Sequence, residues 1–153
     1  MDAKELLRRY ATGERDFTGV KLPGVHLMDK ELSKVIFREA DLSNAYLDWT
    51  NLSYADLSHA NLRGARLGEA ALNGANLEGA DLSEAVFGQT TFGKANLSHA
   101  KLRDAILTET SFKNANLSYA DLSGARDFSI NRCKGAIFCE TIMPDGTIRS
   151  DGA

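Results

Sequence analysis

The sequence is poor in the residues that form catalytic, metal-binding or disulfide-stabilised sites. Its 153 residues include two cysteines, Cys133 and Cys139, and three histidines. Two cysteines alone cannot form a four-ligand zinc site, and their spacing is not that of a redox Cys-x-x-Cys motif. His26, His59 and His99 do not share a coil in the predicted fold, so they are too far apart to hold one metal. No serine has an evident histidine and aspartate partner, and no glycine-rich loop leads from a strand into a helix. We therefore predict no enzymatic activity, no catalytic residue, no metal and no cofactor.

Long apolar runs and a strong charge of one sign are also missing. No run approaches the roughly 20 apolar residues that span a bilayer, and the first residues lack the apolar core of a signal peptide. The net charge is only −3, while 43% of the residues are hydrophobic, which is enough for one domain with one core. These features predict a cytoplasmic protein that does not bind a membrane.

The sequence contains instead a five-residue repeat of large apolar residues. Every fifth residue from Phe17 to Leu122 is Leu or Phe, at twenty-two successive positions. On an α-helix this spacing would scatter the leucines around the cylinder, and in a flat strand it would alternate them between two faces. A chain that bends once per repeat places them all on one axis. The pattern therefore predicts an all-β solenoid.

Two further positions of the repeat support this interpretation. From residue 40 to residue 125, the residue two before each Leu or Phe is Ala or Thr, which predicts that small side chains also point inward. The residue immediately before the leucine is often Asp or Asn, whose short side chains hydrogen-bond the backbone of tight turns. These residues are Asp41, Asn51, Asp56, Asn61, Asn76, Asp81, Asn96, Asn116 and Asp121.

Runs such as Ala55-Asp56-Leu57-Ser58 and Ala80-Asp81-Leu82-Ser83 resemble the pentapeptide-repeat family, including its small cyanobacterial members. The resemblance implies a right-handed quadrilateral β-helix with four pentapeptide repeats per coil. The residues independently suggest the same coil length, because like residues recur at multiples of twenty. Such sets are Thr50, Thr90 and Thr110, the pair Phe92 and Phe112, and the pair Phe17 and Phe37.

Residues 1–153 are predicted to form a single pentapeptide-repeat domain with five segments. Residues 2–12 form a short N-terminal α-helical cap, because Asp2 and Glu5 resemble a capping box and Gly13 is a natural stop. Its apolar stripe would be Ala3, Leu6, Leu7 and Tyr10. We expect an irregular first coil at 14–34, distorted near Lys30, which occupies an inward position. Regular coils then cover 35–125, a phase-shifted final coil and cap covers 126–146, and 147–153 form a frayed tail.

One face of the predicted solenoid departs from the repeat motif and is the candidate partner-binding face. It carries the inward residues Leu27, Leu47, Leu67, Phe87 and Leu107, and it has bulky side chains where Asp or Asn is usual. Aromatic and apolar residues edged by carboxylates are typical of protein interfaces. The candidate residues are Met28, Tyr46, Asp48, Trp49, Arg66, Glu69, Val86, Ile106 and Glu109. The alternative is that these side chains only stack to stabilise the sheet surface.

We interpret the protein as a non-enzymatic rigid scaffold, a protein-protein interaction module for an unknown protein partner, as a monomer or weak dimer. A purely structural spacer is one alternative. Resemblance to the family's topoisomerase-protecting members offers another, a DNA-mimic modulator of a type II topoisomerase, which the low net charge argues against. Nucleic-acid binding is not expected, because the neighbouring face carries Glu31 against only Lys34, Lys94 and Lys113.

Overall fold

The computed structural model describes residues 1–151 and begins with helix α1, Ala3–Ala11. The side chain of Asp2 caps the helix by accepting a hydrogen bond from the Glu5 amide at 2.9 Å. Leu6 is fully buried, and the Tyr10 hydroxyl donates to the Ser33 carbonyl at 2.8 Å, so the helix lies against the first coil. The predicted cap helix is therefore present. Within the described residues, no helix is long and apolar enough to cross a membrane.

The body of the protein is a stack of coils that pair in parallel with the next coil. Bridges join residues twenty apart, beginning with Asp16 to Ile36 and continuing to Ile106 with Arg126. Four bridges occur in each coil, one per pentapeptide. Most are single-residue bridges because the chain turns again within five residues. Among residues 1–151, only β1, Val86–Gly88, and β2, Ile106–Thr108, extend into a parallel strand pair of three residues each.

Most pentapeptides repeat the same set of backbone hydrogen bonds, as residues 61–65 show. The Leu62 amide donates to the Asp81 carbonyl of the next coil at 2.8 Å, and the Gly64 amide donates to Ser83 at 3.0 Å. The Ala65 amide then closes the turn on the Leu62 carbonyl at 3.0 Å. The third residue of each turn has positive φ, 71° at Gly64, as type II turns require. Ladder and turn bonds together satisfy most of the backbone around the solenoid.

The leucines and phenylalanines at five-residue spacing fill the interior. All but Phe17 and Leu22 are at most 1% exposed, and the alanines two residues before them are buried between them. Each buried Leu contributes about 1.5–3 kcal/mol of hydrophobic stabilisation. Phe92 and Phe112 stack with ring centroids 5.2 Å apart and planes within 2°, which confirms the predicted stacking of like residues.

The Asp and Asn residues before the leucines brace the turns, as predicted. Each of the nine accepts a hydrogen bond on its side-chain oxygen from the backbone amide two residues ahead. The Ser43 amide to Asp41 Oδ1 distance is 3.1 Å, and the Ser43 hydroxyl adds a second bond of 2.7 Å. These contacts lie within one repeat, so they fix each corner locally.

The first coil pairs with the second coil in the regular register, so the ladder is intact near Lys30, where a distortion was expected. The Lys30 carbonyl accepts the expected ladder bond from the Asn51 amide at 2.9 Å, and bridges begin at Asp16. The Lys30 side chain is exposed. Because this coil pairs with another coil on one side only, a long side chain at its rim reaches water without disturbing the backbone.

The predicted phase slip lies between Arg126 and Arg132. Ile106 bridges Arg126 at a separation of twenty, whereas Asn116 bridges Ile137 at twenty-one. A 3₁₀ helix, Ile130–Arg132, takes up the extra residue at this corner. Cys133 and Phe138 regain inward positions with 0% and 2% exposure. The last coil therefore continues the interior in a shifted register.

The chain after Met143 does not fray within the described residues, which corrects the predicted tail. Strand β3, Thr141–Ile142, pairs antiparallel with strand β4, Ile148–Arg149. The Phe138 amide also donates to the Asp151 carbonyl at 2.8 Å. The Pro144-Asp145-Gly146 turn thus folds the chain back into a hairpin. Residues 152–153 of the predicted tail lie outside the described residues.

Candidate protein-binding face

The nine candidate residues lie on one side of the solenoid, which we call the Trp49 face and define by residues 26–29, 46–49, 66–69, 86–89 and 106–109. The coil register aligns these segments, because bridges connect one row of residues from the first coil upward. That row is His26, Tyr46, Arg66, Val86 and Ile106. Trp49, Glu69 and Glu109 occupy the left-handed turn position at the edge of the face, with φ of 58°, 55° and 50°.

An aromatic stack begins the row. The His26 and Tyr46 rings lie 4.5 Å apart between centroids, with an angle of 11° between their planes. Arg66 follows on the next coil, with its guanidinium carbon 5.8 Å from the centre of the Tyr46 ring. Such cation–π contacts are weak at exposed sites, about 0.5–1 kcal/mol. Ladder neighbours therefore account for the position of Tyr46.

Asp48 is held close to the backbone of the next coil. Its Oδ1 accepts a hydrogen bond from the Gly68 amide at 3.1 Å, and its Oδ2 lies 3.7 Å from Arg66 Nε. A Cβ atom at Gly68 would lie 2.9 Å from Asp48 Oδ1, so glycine permits this approach. The Asp48 side chain is only 15% exposed, against 59% for Arg66. The arginine is thus the more available charge of this pair.

Trp49 is the most exposed apolar side chain of the Trp49 face, with 58% of its surface accessible. Its indole nitrogen donates to the Glu69 carboxylate on the next coil, which orients the ring without covering it. Further along the same edge, Gln89 Nε2 donates to Glu109 Oε2 at 3.0 Å. The edge therefore presents a fixed indole together with two carboxylates that are anchored to neighbouring residues.

Aliphatic side chains complete the Trp49 face. Met28 is 41% exposed and Val86 is 39% exposed, while Ile106 is partly buried. Val86 and Ile106 are partners in the parallel pair of β1 and β2. The structure also adds two residues that sequence reasoning missed beyond the phase slip. Arg126 bridges Ile106, and Thr108 donates to the Asp127 carboxylate at 2.8 Å.

The cysteines and the possible metal ligands of residues 1–151 are the remaining groups that could carry chemistry. Among residues 1–151, no group of three or more His, Cys, Asp or Glu side chains is placed to hold a metal ion. Burial raises the pKa of the Cys133 thiol to about 11, so this cysteine is protonated at neutral pH. The predicted buried thiol at Cys133 is confirmed, and Cys139 is partly exposed.

Coils of twenty residues around an apolar interior define a β-solenoid repeat protein. The family model for pentapeptide repeats matches residues 16–53, 31–68, 50–89, 60–98 and 92–126. The chain belongs to the pentapeptide-repeat family. Members of this family form right-handed quadrilateral β-helices and are generally structural or interaction modules.

Similar proteins come from cyanobacteria. The crystal structure of the pentapeptide-repeat protein alr5209 from Nostoc has 29% identity and a TM-score of 0.59, and the match covers 88% of this chain and 93% of that chain. Rfr23 from Cyanothece has 27% identity over 92% of this chain and 96% of its own, with a TM-score of 0.47. Protein slr1819 from Synechocystis is 51% identical over 41 residues, which span 27% of this chain and only 12% of slr1819.

Proposed function

We propose that this protein is a non-enzymatic scaffold, a right-handed quadrilateral β-helix whose Trp49 face binds a partner protein. The observation that carries the proposal is the 58% exposure of Trp49 on a backbone held by ladder hydrogen bonds on every coil. Tryptophan is among the residues most enriched in the energetic centres of protein interfaces. A rigid scaffold loses little conformational entropy when it binds, which favours affinity.

The exposed bulky side chains of the Trp49 face support this proposal over simple packing of the sheet surface. If the bulky residues served only the ladder, their neighbours on adjacent coils would cover them, as the His26 stack partly covers Tyr46. Met28, Trp49 and Val86 instead keep between 39% and 58% of their surface open to solvent. The carboxylates of Glu69 and Glu109 at the edge fit a partner with an apolar centre and basic rim residues.

The alternatives from the sequence have less support. A structural spacer does not require an exposed indole on one face. A topoisomerase modulator that imitates DNA would need acidic walls, whereas here arginines pair with acids across coils, as Arg38 does with Asp56 and Arg103 with Asp121. The cytoplasmic location and the monomeric or weakly dimeric state stay predictions of the sequence.

The proposal is tested by affinity capture from the native host with a double variant, Trp49→Ala with Ile106→Glu. The matched control is Tyr119→Ala with Ile137→Glu, because these residues occupy the same repeat positions on another face and are 49% and 52% exposed. We expect the control to retain the proteins that the wild type captures and the Trp49-face variant to lose them. Equal capture by both folded variants, identified by mass spectrometry, contradicts the proposal.

A further inference from the structure

A second surface lies on the neighbouring side of the solenoid, and we call it the Lys113 cleft. The Phe112 amide donates to the Arg132 carbonyl at 2.8 Å, and the Asn114 amide donates to the Lys134 carbonyl at 2.9 Å. This register brings the residues after the phase slip beside those before it. The cleft has a volume of about 230 Å³, and the residues that line it are Ser111, Lys113, Asn131, Arg132 and Lys134.

Every residue that lines the Lys113 cleft is polar, and three carry positive charge. A fourth cation approaches from the coil below, because the Lys94 amide donates to the Lys113 carbonyl at 2.9 Å. Lys94 and Lys113 also line an adjoining hollow of about 340 Å³ with Asn114. The end of this face is therefore more basic than the sequence predicts. Arg132 and Lys134 follow the phase slip, so the five-residue spacing did not assign them to the same face as Lys94 and Lys113.

Charges elsewhere on the solenoid are arranged differently. Arginines on other faces pair with carboxylates of the next coil, at 2.6 Å for Arg38 with Asp56 and 3.0 Å for Arg63 with Glu84. Within residues 1–151, none of the four cations at the Lys113 cleft forms an ion pair. The neighbouring carboxylates along the chain are engaged on the Trp49 face, Glu109 by Gln89 and Asp127 by Thr108.

Unpaired like charges on adjacent strands destabilise a sheet, so the arrangement has a cost in the free protein. A bound anion would remove that cost. Arg132 offers a planar fork of donors that fits an oxyanion, and Lys113 and Lys134 add two point charges. The Ser111 oxygen accepts from the Lys113 amide at 3.4 Å, which leaves its hydroxyl proton free to donate. The cleft thus offers three positive charges and several hydrogen-bond donors, whereas a single carboxylate has one negative charge and two oxygens.

We propose that the Lys113 cleft binds a phosphate group, either free or carried by a phosphorylated side chain of a peptide. The cleft volume accommodates a phosphate with bound waters, since a water molecule takes about 30 Å³ in the liquid. A nucleic-acid duplex fits less well, because the four cations lie within three successive coils and the first coil of the same face carries Glu31. This site is separate from the Trp49 face and does not depend on it.

The proposal is tested by titrating ¹⁵N-labelled protein at low salt with inorganic phosphate, pyrophosphate, a phosphoserine peptide and the same peptide without phosphate. We expect saturable shifts confined to the backbone amides of residues 111–114 and 131–135. The variant Arg132→Gln with Lys134→Gln should weaken binding about tenfold or more, because it removes two charge-assisted contacts. Tighter binding of inorganic phosphate or pyrophosphate than of the phosphoserine peptide would identify a free anion as the ligand. Tighter binding of the phosphoserine peptide would identify a phosphorylated side chain.

The matched control is Lys21→Gln with Lys101→Gln, which removes the same charge from exposed lysines on another face. We expect the control to bind phosphate ligands within about twofold of the wild type. The cleft variant should keep or raise the melting temperature, because a like-charge contact is relieved. It should also keep its capture of partners through the Trp49 face.

Three results overturn the proposal. The first is the absence of saturable binding by any phosphate ligand at millimolar concentration. The second is an equal loss of affinity in the cleft variant and the control, which would indicate diffuse attraction. The third is tighter binding of a DNA duplex with shifts along the whole face, which would indicate backbone tracking instead of a compact site.

Discussion

Buried threonine hydroxyls hold the corners beside the Trp49 face. Thr50 Oγ1 donates to the Leu27 carbonyl at 2.6 Å, and Thr90 Oγ1 donates to the Leu67 carbonyl at 2.7 Å. Both threonines occupy positions where the repeat otherwise has alanine. The hydroxyl therefore joins two coils in a place where an alanine methyl would only fill space.

The variant Thr90→Val tests this contact, because it keeps the shape of the side chain and removes the donor. We expect the free energy of unfolding in urea to fall by about 0.5–1.5 kcal/mol. Thr110→Val is the control, since the Thr110 hydroxyl makes only a 3.3 Å contact with the nearby Thr108 carbonyl. A loss at Thr110 as large as the loss at Thr90 would show that the bond to Leu67 is not responsible.

Carboxylates in the turns link stability to pH. Hydrogen bonds from the Ser43 hydroxyl and amide lower the pKa of Asp41. Burial raises the pKa of Asp56, but hydrogen bonds from Ser58 and Arg38 outweigh it, and the net shift is downward. A carboxylate whose folded pKa lies below its unfolded value of about 4 stabilises the fold fully above that pH. This stabilisation is lost as the pH falls through the folded pKa.

We therefore expect the melting temperature of the wild type to fall below about pH 4. Asp56→Asn keeps an oxygen that can accept from the Ser58 amide but cannot ionise, so the fall between pH 5 and pH 2 should be smaller. Arg38→Gln should reduce the fall as well, because it removes the cation that favours the Asp56 carboxylate. The expectation fails if both variants follow the wild-type curve with a constant offset.

At the scale of the element, the two ends of the solenoid close by different means. Helix α1 places the buried Leu6 against the first coil, whereas the last coil is followed by the β3–β4 hairpin. At the hairpin, the Met143 amide donates to the Thr147 carbonyl at 2.7 Å, and Arg149 lies over the Phe138 ring at 4.7 Å. Both devices cover backbone and apolar groups that an open solenoid end would expose.

Truncation after Gly146 tests the role of the hairpin. It removes β4 and the carbonyl that the Phe138 amide uses, so Phe138 should become more accessible. We expect a loss of about 1–3 kcal/mol in the free energy of unfolding and faster hydrogen exchange at the Phe138 amide. Unchanged exchange at Phe138 and Met143 would mean that the segment after Gly146 is not structural.

The sequence predicts these elements to the extent that local chemistry determines them. Asp2 and the apolar stripe around Leu6 indicate helix α1, and the displaced spacing of Cys133 and Phe138 reveals the phase slip. The hairpin is missed because its pairing is antiparallel and leaves the five-residue repeat after Met143. The sequence leaves two outcomes open for Lys30, a bulged backbone or a side chain that reaches solvent, because the repeat does not show that the first coil has a neighbour on one side only.

At the scale of the molecule, the coil register decides which residues share a face. The twenty-residue recurrence is visible in the sequence, so the nine residues of the Trp49 face could be grouped from it. Contacts such as the His26 stack or the Trp49 to Glu69 bond depend on side-chain conformation and could not be predicted. The Lys113 cleft was hidden because it joins residues on both sides of the phase slip.

Deletion of one full coil tests the register directly. Removing residues 56–75 joins Ala55 to Asn76, so the motif and the alignment of faces continue. Stability in repeat proteins is approximately a sum over neighbouring units, so we expect a folded protein with a lower free energy of unfolding. Far-ultraviolet circular dichroism and urea unfolding report both properties.

Removing residues 56–72 is the control, because it deletes a similar length but breaks the five-residue spacing. We expect this variant to lose cooperative unfolding, since the leucines on the two sides of the junction no longer share an axis. If both deletions behave alike, the spacing does not govern the stacking of coils.

The same register has an evolutionary consequence for the reach of such a protein. Duplication of the gene segment that encodes one coil preserves the reading frame, the interior and the orientation of every wall, and it lengthens the rod by about 4.8 Å. Two binding sites on one face of the solenoid can thus be moved apart in uniform steps without any change to the sites themselves. Selection can therefore adjust the distance between bound partners in steps of one coil.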